Sequence, residues 1–175
     1  MRRLDTALKL EEFAECYIGR LRSLARTHEA LAATKWSGVD LLEVLQLTVL
    51  PFANDASGNV SINGVDVRLP PEAAAPVCLS LHELTTNALK HGSLTKKDGR
   101  LDISWHMDGP NVVIDWSEHV DSSRCETVTE STESGGLGLM LIRGFVQHEL
   151  GGSVDLAFEP GGLRCRLQIP LESDA

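Results

Sequence analysis

No stretch of this chain reaches the roughly 18–20 consecutive apolar residues that a bilayer-crossing helix needs, so no membrane span is expected in it. The N-terminal MRRLDTALKLEEF carries two arginines but no apolar run behind them, which argues against a secretory leader. Paired cysteines are missing as well. Cys16, Cys78, Cys125 and Cys165 are scattered without a CxxC step, so neither zinc ligation nor a disulfide framework is supported. Cys78 and Cys165 fall in apolar patterns and read as small core residues. An excess of basic charge is also missing. Sixteen Lys and Arg face 25 Asp and Glu, for a formal charge of −9. A nucleic-acid binder normally presents a basic face, so that class is set aside, although a local basic pocket for phosphates is still allowed. No internal repeat is visible. The expected setting is cytoplasmic.

What is present suits a folded domain. Hydrophobic residues at 42% and charged residues at 23% are near the globular average, and 175 residues hold one domain with an appendage. From Leu4 to Ala33 the apolar positions Leu10, Phe13, Ala14, Tyr17, Leu21 and Leu24 keep a helical spacing. That stripe is long and one-sided, so it needs a partner surface. Asp40 or Ser37 is placed to cap a second helix running through Leu50. After a turn-rich loop, Val60–Ile62 and Val65–Leu69 are β-prone runs joined by Asn63-Gly64, a hairpin signal. A long helix opens at Pro70-Pro71, or becomes regular at Pro76, and runs to about His91 with Gly92 as its stop. Strands follow at Arg100–His106 and Val112–Trp116. His119 to Ser134 is polar and aperiodic; Gly135-Gly136-Leu137-Gly138 then leads a helix through Leu150. A hairpin of Val154–Phe158 and Leu163–Ile169 closes the chain. Locally paired strands with helices between them predict an α+β two-layer sandwich, helices on one face, preceded by a long helical segment.

The helix ending at His91 carries the chemistry. Its apolar stripe is Ala74, Val77, Cys78, Leu81, Leu84 and Ala88. On another side Glu83, Asn87 and Lys90 follow at spacings of four and three, which stacks them on one face. An amide oxygen suits Mg2+, an ammonium suits phosphate, and a carboxylate can orient or deprotonate a nucleophile. A solvated helix face accounts for the same spacing. Gly135-Gly136-Leu137-Gly138 before a helix suits an anion, because bare backbone N–H groups can approach it. No Gly-Lys-Ser/Thr follows, so it is not a Walker A loop, and a polar loop rather than a strand precedes it, unlike a Rossmann turn.

In combination these segments resemble the HWE subgroup of histidine kinases, within the GHKL ATPase superfamily. His82-Glu83-Leu84-Thr85-Thr86-Asn87-Ala88-Leu89-Lys90-His91-Gly92 is similar to that subgroup's N box, its characteristic histidine included. Trp116-Ser117-Glu118 resembles its W-x-E motif, and Gly136-Leu137-Gly138-Leu139-Met140-Leu141-Ile142 its G2 box. Gly19 to His28 resembles the second dimerisation helix of the same kinases. The resemblance implies ATP and Mg2+ as cofactors. It implies Asn87 as the metal ligand and Glu83 as general base or orienting group. Lys90 and His91 would lie at the nucleotide, Glu118 at the adenine amino group, and Gly136, Leu137, Gly138 and Leu139 around the phosphates. Residues 119–135 would form the ATP lid. Residues 1–53 would be a partial dimerisation and phosphotransfer region, its second helix without the first, and 54–175 the ATP-binding catalytic domain. The implied partners are a second copy through the N-terminal helix and a response regulator or phosphorelay protein.

Two departures stand out. The family's W-x-E is followed by a Gly-Gly step, where this chain has His119-Val120-Asp121. No His-Arg-x-x-Asn-like acceptor motif is found either, and His28 lies at the far end of the helix-like segment. The chain therefore reads as a fragment or as a variant without its own acceptor. Two functions compete: a protein-histidine kinase, and a degenerate nucleotide-sensing or partner-binding module. A serine-directed kinase of the anti-sigma type is a distant third.

Overall fold

The structure, a computed structural model, describes residues 2–53, 59–120 and 137–171. A long helix α1 (Arg2–Ala33) leads to a short strand β1 (Val39–Asp40) and helix α2 (Leu41–Thr48). The second helix thus ends before Leu50; a 3-10 turn at Leu50–Phe52 follows, where Pro51 cannot continue an α-helix. Asp40 occupies the N-cap position but makes no side-chain capping bond.

Strand β2 (Val60–Gly64), strand β3 (Arg68–Leu69) and helix α3 (Pro71–Lys90) come next. The hairpin expected at Asn63-Gly64 does not form. The strand runs straight through both residues and pairs in parallel with β4 (Arg100–Asp108), in the register Ile62↔Ile103 and Gly64↔Trp105. β3 instead pairs with β1. Gly64 serves packing rather than turning: a Cβ there would lie 2.1 Å from the Trp105 ring. The indole Nε1 then donates to the Val65 carbonyl at 2.6 Å. Because β2 and β4 are parallel, the chain must cross over between them, and α3 is that crossover.

β4 and β5 (Asn111–His119) form a hairpin around Gly109, whose φ of +58° suits glycine. Helix α4 (Leu137–Arg143) continues as a π-helical turn over Gly144–Glu149, rather than as one α-helix to Leu150. Strands β6 (Ser153–Glu159) and β7 (Gly162–Pro170) close the sheet in the order β2-β4-β5-β7-β6. Alternation along the strands sends Leu101, Ile103 and Trp105, Ile114 and Trp116, and Leu167 and Ile169 to one face. The expected α3 stripe of Ala74, Val77, Cys78, Leu81, Leu84 and Ala88 meets them, each at 1% exposure or less. Leu31 of α1 and Leu41, Val44 and Leu45 of α2 join the same core cluster. The opposite sheet face carries ion pairs such as Arg166 to Asp115 at 2.7 Å. The result is the expected two-layer α+β sandwich. No helix among the described residues is long and apolar enough to cross a membrane.

Candidate functional site

The polar stripe of α3 is solvated only at its end. Glu83 is 4% exposed and His82 7%, whereas Asn87 is half-buried and Lys90 and His91 are exposed at the helix end. What covers the first two is α1. Gly19 allows the close approach, since a Cβ there would lie 3.0 Å from His82 Nε2. One turn on, Ser23 Oγ and His82 Nδ1 hydrogen-bond at 3.0 Å. Arg20 lies between and forks onto Glu83, donating from Nε to Oε1 at 2.5 Å and from Nη2 to Oε2 at 2.9 Å. Burial pushes the His82 imidazole below its ordinary range; the neighbouring Glu83 charge raises it and Arg20 lowers it.

Helix α4 closes on the same stripe. A Cβ on Gly138 would lie 2.8 Å from Glu83 Oε2 and 3.6 Å from Asn87 Oδ1. The approach to Glu83 is closer than a Cβ allows without a shift, while that to Asn87 is ordinary contact. Segments more than 50 residues apart are thereby joined: Glu83, Asn87 and Gly138 share one surface. Leu139 packs half-buried against the core, and Leu137 is exposed. Gly136 lies outside the described residues, as does the lid segment from residue 121 onward. His119 belongs to β5 rather than to that segment, and the Val120 N–H is tied to the Gly161 carbonyl at 2.7 Å.

Glu118 is buried at 4% exposure on the inner face of β5. Trp116 precedes it by two residues and so projects to the same face, where its Nε1 donates to Glu118 Oε1 at 3.2 Å. The other oxygen accepts the Ser93 backbone N–H at 2.7 Å. Burial raises the Glu118 carboxyl above its ordinary range, and these two donors partly offset the rise. Gly92 makes room for the contact. It follows the α3 C-cap with φ −107°, not the left-handed geometry of a glycine stop. A Cβ on it would lie 1.9 Å from Glu118 Oε2, so clearance explains this glycine. The C-terminal end of α3 thus meets Gly138 on one side, while Gly92 and Ser93, just past that end, meet Glu118.

Among the described residues no three His, Cys, Asp or Glu side chains group to hold a metal. Asn87 contributes one oxygen, which fits a Mg2+ that brings most of its ligands as phosphate and water oxygens. The cradle at Gly138, which a side chain would fill, fits the same group. Arg20, Ser23 and Ser93 were not identified as site residues from the sequence. Arg20 and Glu83 are 63 positions apart, so no local pattern links them.

A mixed five-stranded sheet covered by helices on one face is the fold of histidine-kinase ATPase domains, and it is shared at TM-score 0.67 with the histidine kinase domain of a blue-light-activated histidine kinase from Erythrobacter litoralis. That match is 20% identical and covers 89% of this chain and 75% of the other. Histidine kinase AdeS of Acinetobacter baumannii aligns at TM-score 0.63 and 15% identity, over 97% and 84% of the two chains. The chain belongs to the histidine kinase family: the histidine kinase-like ATPase domain model matches residues 61–168 and the HWE histidine kinase model residues 2–66. A blue-light-activated histidine kinase of Rhizobium johnstonii is 32% identical over 170 residues, 96% of this chain and 47% of that protein. The corresponding kinase 1 of Erythrobacter litoralis is 29% identical over 93% of this chain and 45% of its own length. The chain therefore spans under half the length of these relatives.

Proposed function

We propose that this chain is the catalytic region of a signal-transduction histidine kinase, which binds Mg-ATP and passes the γ-phosphoryl group to a histidine for relay to a response regulator. The observation that carries this reading is the meeting of Gly138 with Glu83 and Asn87, which brings a bare stretch of backbone onto the polar face of α3. Asn87 Oδ1 is the ligand offered to Mg2+. Lys90 and His91, exposed at the end of α3, bind the phosphates together with Leu137, Gly138 and Leu139, and Gly136, outside the described residues, is assigned the same role from the sequence motif. Glu118 accepts from the adenine amino group; a carboxylate has lone pairs beyond those taken by Ser93 and Trp116. Glu83 orients the acceptor imidazole and takes its proton. Bound Mg-ATP supplies the phosphoryl group and the charge neutralisation that its transfer needs. Residues 1–53 act as the partial dimerisation region, pairing two copies in the cytoplasm, and 54–175 as the catalytic domain. The acceptor histidine is not identified in this chain.

Calorimetry with Mg-ATP tests the binding half. Micromolar to sub-millimolar affinity that Asn87→Ala weakens by about tenfold or more supports it, as expected for a lost metal ligand. No binding at millimolar nucleotide would refute it. A second reading, a nucleotide-sensing or partner-binding module without transfer, is favoured by the engagement of both Glu83 oxygens with Arg20. Binding without any acid-labile, base-stable label on a supplied acceptor helix would favour that reading.

A further inference from the structure

One face of α1 holds both adjacent N-box residues. Arg20 takes the two oxygens of Glu83, Ser23 takes the Nδ1 of His82, and Gly19 lets the helix backbone sit against the His82 ring. A guanidinium fork fixes the plane of a carboxylate as well as its position, takes one in-plane lone pair on each oxygen, and sets a positive charge against an incoming proton. Glu83 is closed off further by Gly138 from α4. The covering helix also has an open outer face. Tyr17, Ile18 and Leu21 of α1 are 52%, 45% and 49% exposed, so a partner that buries them acts on the same helix that carries Arg20. Moving α1 by one turn, about 5.4 Å, unseats the Arg20 and Ser23 contacts together.

We propose that Arg20 is a positioning residue that restrains the Glu83 carboxylate, and that displacement of α1 frees this carboxylate to take a proton. This rests on the reading of Glu83 as the base. In the transfer, a bond forms between phosphorus and one imidazole nitrogen as the bond from phosphorus to the ADP oxygen breaks. The proton on the other ring nitrogen goes to Glu83. A carboxylate held by the fork cannot turn to receive it, so the docked helix is the restrained state. Ser23 acts alongside by fixing the His82 ring.

The test compares the unaltered chain with Arg20→Met and Arg20→Lys. Turnover of γ-labelled ATP with Mg2+ is followed with free imidazole as acceptor, Mg-ATP binding by calorimetry, and the His82 titration by NMR. The expected result for Arg20→Met is a kcat higher by about fivefold or more with KM for ATP little changed, the signature of a change confined to the chemical step. Arg20→Lys, which keeps the charge but loses the fork, shows a smaller rise, and adding Glu83→Gln removes it. His82 titrates at higher pH in Arg20→Met, because the Glu83 charge next to it is no longer offset. Mg-ATP bound by all three chains with kcat no higher in either variant overturns the proposal. Should the unaltered chain bind no Mg-ATP, the nucleotide reading fails instead. The His82 titration then still decides the clamp: an upward shift in Arg20→Met supports it, and an unchanged one overturns it.

Discussion

Two buried glutamates stand close to the C-terminal half of α3, and they are held in opposite ways. Glu118 is fixed by neutral donors from its own surroundings, the Trp116 indole two residues before it and the Ser93 N–H just past the helix. Glu83 is fixed by a full charge on a helix 63 positions away. The neutral donors offset burial only in part, and the Glu118 carboxyl stays raised. The Arg20 fork supplies a matching charge, which allows a carboxylate to be buried without leaving an unpaired ion. Under the proposed displacement of α1, the contrast separates a permanent fixture from a removable one. Glu118 keeps its partners as long as the sheet and the end of α3 are folded, whereas Glu83 keeps its partner only while α1 is docked.

The largest expected effect comes from breaking the removable side. Arg20→Met strands a buried carboxylate, and a loss of about 3 kcal/mol is expected, at the low end for buried pairs because Arg20 itself is partly exposed. Adding Glu83→Gln recovers part of that loss, and denaturant unfolding of the four chains in the cycle measures the coupling. Full additivity of the two substitutions would show that the ion pair contributes nothing. On the permanent side, Gly92→Ala forces a methyl into Glu118 Oε2 and costs about 2–3 kcal/mol, the range of an overpacked site. An unfolding midpoint equal to that of the unaltered chain would contradict the clearance explanation of this glycine.

The smallest effect is the loss of one donor. Trp116→Phe keeps the ring and removes the bond to Glu118, for about 1 kcal/mol by urea unfolding at neutral pH. It also has a pH signature. The Glu118 carboxyl is raised in the folded chain above the ordinary 4.5. Below that value both states hold the proton and the contribution to stability is complete. As pH rises from there through the folded value, the unfolded chain releases its proton first and stability falls. Trp116→Phe removes a donor to the charged form, so the fall extends to higher pH. A steeper loss toward low pH assignable to Glu118 would contradict the direction of the shift.

The parts of the fold that were readable in advance are those built from neighbours. The β4–β5 and β6–β7 hairpins close over turns of two residues, and the α3 stripe obeys a helical period, so local pattern is enough for both. The β2 strand was misread because its partner β4 is reached only through the α3 crossover, and Asn63-Gly64 carries the same letters as a turn. Gly64 and Gly92 share that ambiguity: each was assigned a backbone bend, and each is in fact a space for a side chain from elsewhere, Trp105 and Glu118 respectively. Glu83, Asn87 and Lys90 were legible as one face of one helix. That this face is divided, buried at Glu83 and open at Lys90, was not legible, because the covering helix has no sequence relation to it.

Periodicity was sufficient for the main helices, and the resemblance of the motifs at residues 82–92, 116–118 and 136–142 was sufficient for the family and for the residues at which nucleotide chemistry is expected. Each of those motifs is carried by residues within a few turns of one another. Only the folded chain decided which glutamate is clamped by a charge and which by neutral donors. It also decided that α1 lies over His82 and Glu83 and that Gly138 reaches Glu83 and Asn87. Such contacts are set by how helices and sheet pack as whole bodies, and no spacing within a single element encodes them. The polar stripe of α3 is thus a face with a cover, and the cover is α1.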